Sequence, residues 1–283
     1  MQLRETLALA IASLTAQQVP SPRLNAELLL MFTLNCDRSY LFAHPERELR
    51  SDEQSRYESA LAERARGVPA QYITGHQEFW GMDFIVTSAV LIPRPETEHL
   101  VEAILERAKP EAALSIVDVG TGSGAIALAL AKELPDAEIH ATDISAAALE
   151  VARANAARLQ LESRIQFHQT DLLEGLTGPF DFVVSNPPYV GESEEDDVQL
   201  EVRKFEPRNA VFAGPTGLEV IVRLVPQAHA NLRPGGWLAM EISGTIADRV
   251  EGLLGESDGG WKDVRIIPDL QSIPRVILAR KTR

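Results

Sequence analysis

The stretch LSIVDVGTGSGAIALALAKEL, residues 114–134, decides the fold. Its first six residues, LSIVDV, are apolar and β-branched and read as a buried strand. Gly120, Gly122 and Gly124 then allow a sharp turn, and AIALALAKEL reads as a helix stopped by Pro135. A buried strand turning through glycine into a helix is the first half of a βαβ unit. Downstream the alternation continues. AEIHATD (137–143), IQFHQT (165–170), DFVVS (181–185) and GGWLAMEI (235–242) are candidate strands, and Ser145 caps the helix AAALEVARANAARL. DVRII (263–267) and RVILAR (275–280) have no helix between them, which predicts an antiparallel edge pair. The expected class is therefore α/β: a Rossmann-like, mostly parallel sheet with an antiparallel C-terminal edge pair.

Upstream of 114 the pattern differs. Leu3, Leu7, Ile11 and Leu14 recur at helical spacing, Ser21 and Pro22 mark a helix start, and DEQSRYESALAERAR ends at Gly67. EFWGMDFIVTSAVLI (78–92), rich in aromatic and β-branched residues around Gly81, predicts a hairpin. The expected organisation is a small helical domain over 1–75, a β-hairpin linker over 76–95 and the α/β domain over 96–283.

Composition narrows the function classes. Against 41 acidic residues stand 27 basic ones, only five of them lysine, for a net charge of −14. A protein that grips a phosphate backbone needs a basic face, so direct nucleic-acid binding is disfavoured. Cys36 is alone, which points to a reducing compartment, and the early apolar run LALAIA (7–12) is too short for a membrane span. A cytoplasmic protein without membrane or metal partners is expected, the six histidines showing no ligand spacing.

The glycine loop alone satisfies G-x-G-x-x-A through Gly120, Gly122 and Ala125, so a nicotinamide dinucleotide is a legitimate occupant. Two carboxylates favour another. Asp118 precedes the first glycine, where it would repel a pyrophosphate and attract a cationic group; Asp143 closes the second strand, where it can accept from both ribose hydroxyls. S-adenosylmethionine has an ammonium, a ribose and no phosphate. Asp171, beyond the third strand, could meet an adenine amino group or simply cap a helix.

The fourth strand leaves the core through VSNPPYV, 184–190. Two prolines remove two backbone donors and fix two φ angles, a rigid stop. Asn186 offers a side-chain carbonyl and Pro187 a backbone carbonyl. Together they can accept both hydrogens of a planar NH₂ and stabilise positive charge growing on its nitrogen, with Tyr189 as a flat wall.

These segments, with NAELLL (25–30), PAQYITGHQEFWGMDF (69–84), VLIPRPETEHLV (90–101), TDISAAALEVARANA (142–156), EPRNAVFAGPTGLEV (206–220) and LAMEIS (238–243), make the chain resemble the HemK-like family of protein-(glutamine-N5) methyltransferases, in particular its bacterial branch acting on peptide chain release factors. The N-P-P-Y segment is shared with adenine-N6 enzymes; PRPETE (93–98) is more specific to the glutamine branch. The resemblance implies a class I methyltransferase fold, S-adenosylmethionine as cofactor, a release factor as protein substrate, and substrate recognition by the helical domain. Carried over by position, Gly120, Thr121, Gly122, Ser123, Gly124, Asp143, Leu172 and Asn186 would contact the cofactor. Asn186, Pro187, Pro188 and Tyr189 would hold the glutamine, and Phe79 with Pro93–Glu98 would close over the pocket. Leu172 departs from the aromatic often found there, and DLQSIPR (269–275) lacks a glycine often found in that turn. The competing readings are the same chemistry on another glutamine, such as one in a ribosomal protein, N6-adenine methylation, a binding module without catalysis, and a nicotinamide oxidoreductase. The acidic segment after Tyr189, GESEEDDVQLEVRKFE (191–206), is either solvated surface or a field that steers a cationic partner.

Overall fold

Helical periodicity in the first 75 residues becomes five helices in the computed structural model, which describes residues 1–108, 113–255 and 260–282. They are α1 (Leu3–Ala16), α2 (Pro22–Leu34), α3 (Arg38–Ala43), α4 (Ser51–Ala65) and α5 (Ala70–Thr74). Leu3 and Leu14 from the α1 stripe are buried with Leu29, Leu30 and Tyr57, and Leu7 and Ile11 pack against them. The buried Tyr57 hydroxyl donates to the Ala26 carbonyl at 2.9 Å. Ser21 differs from expectation. It sits at the N-cap position with φ 48° and no side-chain capping bond. The α2 start is held instead by Asn25, whose amide donates to the carbonyls of Pro20 and Ser21.

The remainder runs β1 (His76–Phe79), β2 (Met82–Ile85), α6 (Glu98–Leu105), β3 (Ser115–Val119), α7 (Ala125–Glu133), β4 (Glu138–Asp143), α8 (Ala146–Arg158), β5 (Ile165–Gln169), β6 (Phe180–Ser185), β7 (Val190–Gly191), α9 (Leu200–Phe205), α10 (Arg208–Val211), β8 (Phe212–Gly214), α11 (Glu219–Asn231), β9 (Leu232–Glu241), α12 (Ala247–Gly255), β10 (Trp261–Pro268) and β11 (Pro274–Lys281). By contacts the chain divides into two units. One is Met1–His76 with Gln199–Phe205; the other is Gln77–Val198 with Glu206–Arg283. Within the first, Arg64 pairs with Glu201 at 2.8 Å.

The second unit is built on a seven-stranded sheet in the order β10-β11-β9-β6-β3-β4-β5. The pairs β3–β4, β3–β6, β4–β5 and β6–β9 are parallel, while β11 runs antiparallel to both β9 and β10. The alternation of strand side chains explains two apolar layers. Ile116, Phe182, Val184 and Ala239 join the layer containing α6 and α7, whereas Val117, Val183, Leu238 and Met240 join the one containing α11 and α12. β1 and β2 form the separate hairpin around Trp80 and Gly81, both at positive φ as a tight hairpin turn requires. The Glu98 carboxylate accepts from the Trp80 N–H at 2.7 Å, tying this turn to α6. Among the described residues no helix is long and apolar enough to cross a membrane.

One buried side chain fastens the hairpin to α8 and the glycine loop. Asn155 of α8, fully buried, accepts from the Ile85 N–H at 2.6 Å and donates to the carbonyls of Ile85 at 3.0 Å and Ser123 at 2.9 Å. Leucine, of similar size, would strand three backbone groups. Asn155→Leu is expected to lower stability by about 3 kcal/mol or more, read as a lower urea midpoint. An unchanged midpoint would mean that water replaces the amide.

Candidate active site

The turn after β3 is shaped by backbone hydrogen bonds. Gly120 and Thr121 both donate to the Thr142 carbonyl at 2.9 Å, and Gly120 and Gly122 hold φ of 74° and 56°. A Cβ on either would meet nothing within 4 Å, so the space above the loop is open. Gly124 serves packing: a Cβ there would approach Leu128 at 3.1 Å and Ala152 at 3.3 Å.

Asp143, at the end of β4, is pinned from both sides. Its Oδ1 accepts from the Ser145 N–H at 2.8 Å and its Oδ2 from the Gly122 N–H at 2.9 Å. Burial raises its pKa, and these N–H bonds pull the other way. Each oxygen keeps a second lone pair, and the residue lines a cavity of about 310 Å³ together with Gly120, Thr121, Gly122 and Ser123. The structure places Asp118 behind the loop rather than on that wall. Fully buried, it accepts from the Thr121 hydroxyl at 2.6 Å, and burial pushes its pKa up to about 7.

Asp171 and Leu172 reach the same cavity after β5. The Asp171 carboxylate is already paired with Arg223 of α11, so one oxygen is committed before any ligand arrives. Leu172 is held at φ 52°, and the next N–H, of Leu173, donates to the Gln227 side chain at 3.0 Å. Both contacts come from α11, and they fix a backbone conformation that leucine does not favour.

From the tetrapeptide after β6, Asn186 and Pro188 line the cavity, Pro187 is buried and Tyr189 is half-buried. The Asn186 amide nitrogen donates to the Thr97 hydroxyl at 3.2 Å, Thr97 donates to Glu241 at 2.6 Å, and the Tyr189 hydroxyl donates to the other Glu241 oxygen at 3.2 Å. Pro93, Arg94 and Thr97 also border the cavity. Phe79 does not: it is 1% exposed and packs edge-on against Phe84 in the core. Glu206, also buried, accepts from the Ile92 N–H at 3.1 Å and pairs with Arg94, securing the segment that carries Thr97. In the acidic segment Glu195 is paired with Arg208 at 2.7 Å. Glu241 is a side chain without a role in the sequence reading, which takes Thr97 only as part of the Pro93–Glu98 segment and Glu206 only as part of the acidic segment 191–206. Their signal lay in the quoted segments PRPETE, EPRNAV and LAMEIS, but only the fold reveals that these meet.

The sheet order and the cavity at its strand ends are those of class I methyltransferases. The 16S rRNA N2 G1207 methyltransferase of T. thermophilus, solved with AdoMet and guanosine, has the same fold with a TM-score of 0.53 at 23% identity, over 74% of this chain and 50% of that one. Residues 5–75 match the PrmC N-terminal domain and residues 95–204 the methyltransferase small domain. Over 99% of both chains the sequence is 55% identical to a release factor glutamine methyltransferase of Koribacter versatilis. It is 45% identical to one of Moorella thermoacetica over 99% of this chain and 98% of that one. The chain belongs to the release factor glutamine methyltransferase family.

The N-P-P-Y segment leans on a turn that tolerates no side chain. A Cβ on Gly217, at φ 81°, would stand 2.6 Å from the Tyr189 carbonyl oxygen. Gly217→Ala combines that overlap with an unfavourable φ, an expected cost of about 1–3 kcal/mol, or several degrees in melting temperature. Calorimetry on the purified variant measures it, and an unshifted melting temperature would show that this turn yields freely.

Proposed function

We propose that this protein transfers the methyl group of S-adenosylmethionine to the side-chain amide nitrogen, N5, of a glutamine in peptide chain release factors. The observation that carries the reading is that Asn186 and Pro188 share one cavity with the glycine loop and Asp143 in a chain of this family. When bound, S-adenosylmethionine supplies an electrophilic methyl group. The residues present suit it. Asp143 keeps free lone pairs for ribose hydroxyls, the space over Gly120 and Gly122 is open, Leu172 offers apolar surface to an adenine, and Asp171 an acceptor for its amino group. Asp118 would act on the cationic end through Thr121, which it orients.

On the substrate side, the Asn186 Oδ1 and the Pro187 carbonyl accept the two hydrogens of the glutamine amide. This points the face of its nitrogen at the donor and offsets charge that grows there during transfer. Pro188 and Tyr189 bound the slot. The helical residues 1–75 read the release factor, the hairpin 76–95 links them to the catalytic residues 96–283, and the protein works in the cytoplasm, where release factors act.

Mass spectrometry of a purified release factor incubated with the protein and S-adenosylmethionine tests this reading. A mass increase of one methylene on a single glutamine is expected, and an unmodified release factor would defeat it. Two variants separate the roles. Asn186→Ala removes one acceptor of the amide and is expected to lower kcat by about 10²–10³ with donor affinity retained. Asp143→Ala is expected to raise the KM for S-adenosylmethionine substantially with a smaller change in kcat. Equal effects of either variant on affinity and rate would undo the division.

A further inference from the structure

Glu241 closes β9 with 2% of its surface exposed, and neither the cofactor nor the glutamine in the reading above touches it. A carboxylate buried this deeply is costly unless its lone pairs are used. Two are: Oε2 accepts from the Thr97 hydroxyl at 2.6 Å and Oε1 from the Tyr189 hydroxyl at 3.2 Å. Both donors belong to segments that border the reacting amide.

An ionised carboxylate can only accept a hydrogen bond, and a threonine hydroxyl has one proton to give. Thr97 gives that proton to Glu241, so toward Asn186 it can only accept. Asn186 must therefore turn its NH₂ to Thr97, the contact seen at 3.2 Å, and keep its Oδ1 for something else. We propose that Glu241 is a positioning residue that sets the direction of the Asn186–Thr97–Glu241 hydrogen-bond chain, so that Asn186 presents its carbonyl end to the NH₂ of the substrate. This rests on the reading that Asn186 holds a glutamine amide. With the chain reversed, Asn186 would present NH₂ to NH₂, donor against donor, and the amide would be turned away.

The same logic gives a pH dependence. A proton on Glu241 makes it a donor to Thr97, whose own proton then goes to Asn186 and reverses the chain. Around Glu241 stand Arg275 of β11, Glu96 of the Pro95–Thr97 turn, Tyr189 and Thr97. Burial raises the Glu241 pKa above the usual carboxylate range, Thr97, Arg275 and Tyr189 lower it, and Glu96 raises it. Activity is thus present above that pKa and lost as pH falls through it.

Glu241→Gln in the full chain tests the proposal. Glutamine keeps the shape and can still accept from Tyr189, but its NH₂ donates to Thr97 and reverses the chain. The expected result is a fall in kcat of about 10²-fold, an unchanged KM for S-adenosylmethionine and loss of the acidic limb of the kcat profile. Thr97→Val should match it, and Thr97→Ser, which keeps the hydroxyl, should restore most of the rate. A second readout needs no turnover. In the NMR spectrum of the protein alone, the Asn186 side-chain NH₂, assigned with Asn186→Asp, should show contacts to the Thr97 methyl group that vanish in E241Q. A wild-type kcat with unaltered Asn186 signals in E241Q, or equal impairment of Thr97→Ser and Thr97→Val, would overturn the inference. A wild-type protein that methylates no glutamine would remove the functional reading, while the amide signals would still decide the direction of the chain.

Discussion

β3 has β4 on one side and β6 on the other, and the chain leaves it in one direction to β4 and β5 and in the other to β6 and β9. At such a switch point the loops after adjacent parallel strands diverge and leave a crevice at their carboxyl ends. The site depends on that constraint. Gly120–Gly124 follow β3, Asp143 ends β4, Asp171 and Leu172 follow β5, and Asn186 follows β6. Glu241 ends β9, the next strand over, beside the exit of β6, and reaches Asn186 through Thr97.

Three buried carboxylates stiffen three loops around the crevice. Asp118 holds Thr121 of the glycine loop, Glu206 holds Ile92 and Arg94 ahead of the Pro95–Thr97 turn, and Glu241 holds Thr97 and Tyr189. Buried acceptors of this kind cost folding free energy unless their donors stay in place, and for the same reason they make any displacement of those donors expensive. These loops are irregular backbone, yet each is fastened by a buried ionisable group, on β3 for Asp118, on β9 for Glu241 and between α9 and α10 for Glu206. A site that positions one planar amide within a fraction of an ångström needs that stiffness.

Much of this was legible from the chain. Strand periodicity, the glycine turn and Pro135 gave β3 and α7 nearly to the residue, and the absence of a helix between 267 and 275 correctly implied the antiparallel pairing of β10 and β11. The tetrapeptide after β6 declared itself because two prolines after a buried strand have few uses. Contacts distant in sequence could not be read. Thr97 and Glu241 are 144 positions apart, and Ile92 and Glu206 are 114 apart. Nothing local marks a glutamate inside LAMEI as a hydrogen-bond acceptor, and nothing local says that Asp118 turns toward Thr121 and away from the cavity. Phe79 is a related case, since an aromatic in a hairpin near the site can face the core, as it does here, as readily as a ligand.

Gln199–Phe205 belongs with Met1–His76, although both neighbouring stretches of chain belong to the other unit. The backbone therefore passes between the units three times, at 76/77, 198/199 and 205/206. Arg64, with 4% of its side chain exposed, has its carboxylate partner Glu201 on the inserted piece. Cutting the gene after His76 would not excise a module: the fragment would lose the carboxylate partner of Arg64 along with the rest of Gln199–Phe205. The helical unit is inherited as two pieces of sequence, and both must travel together.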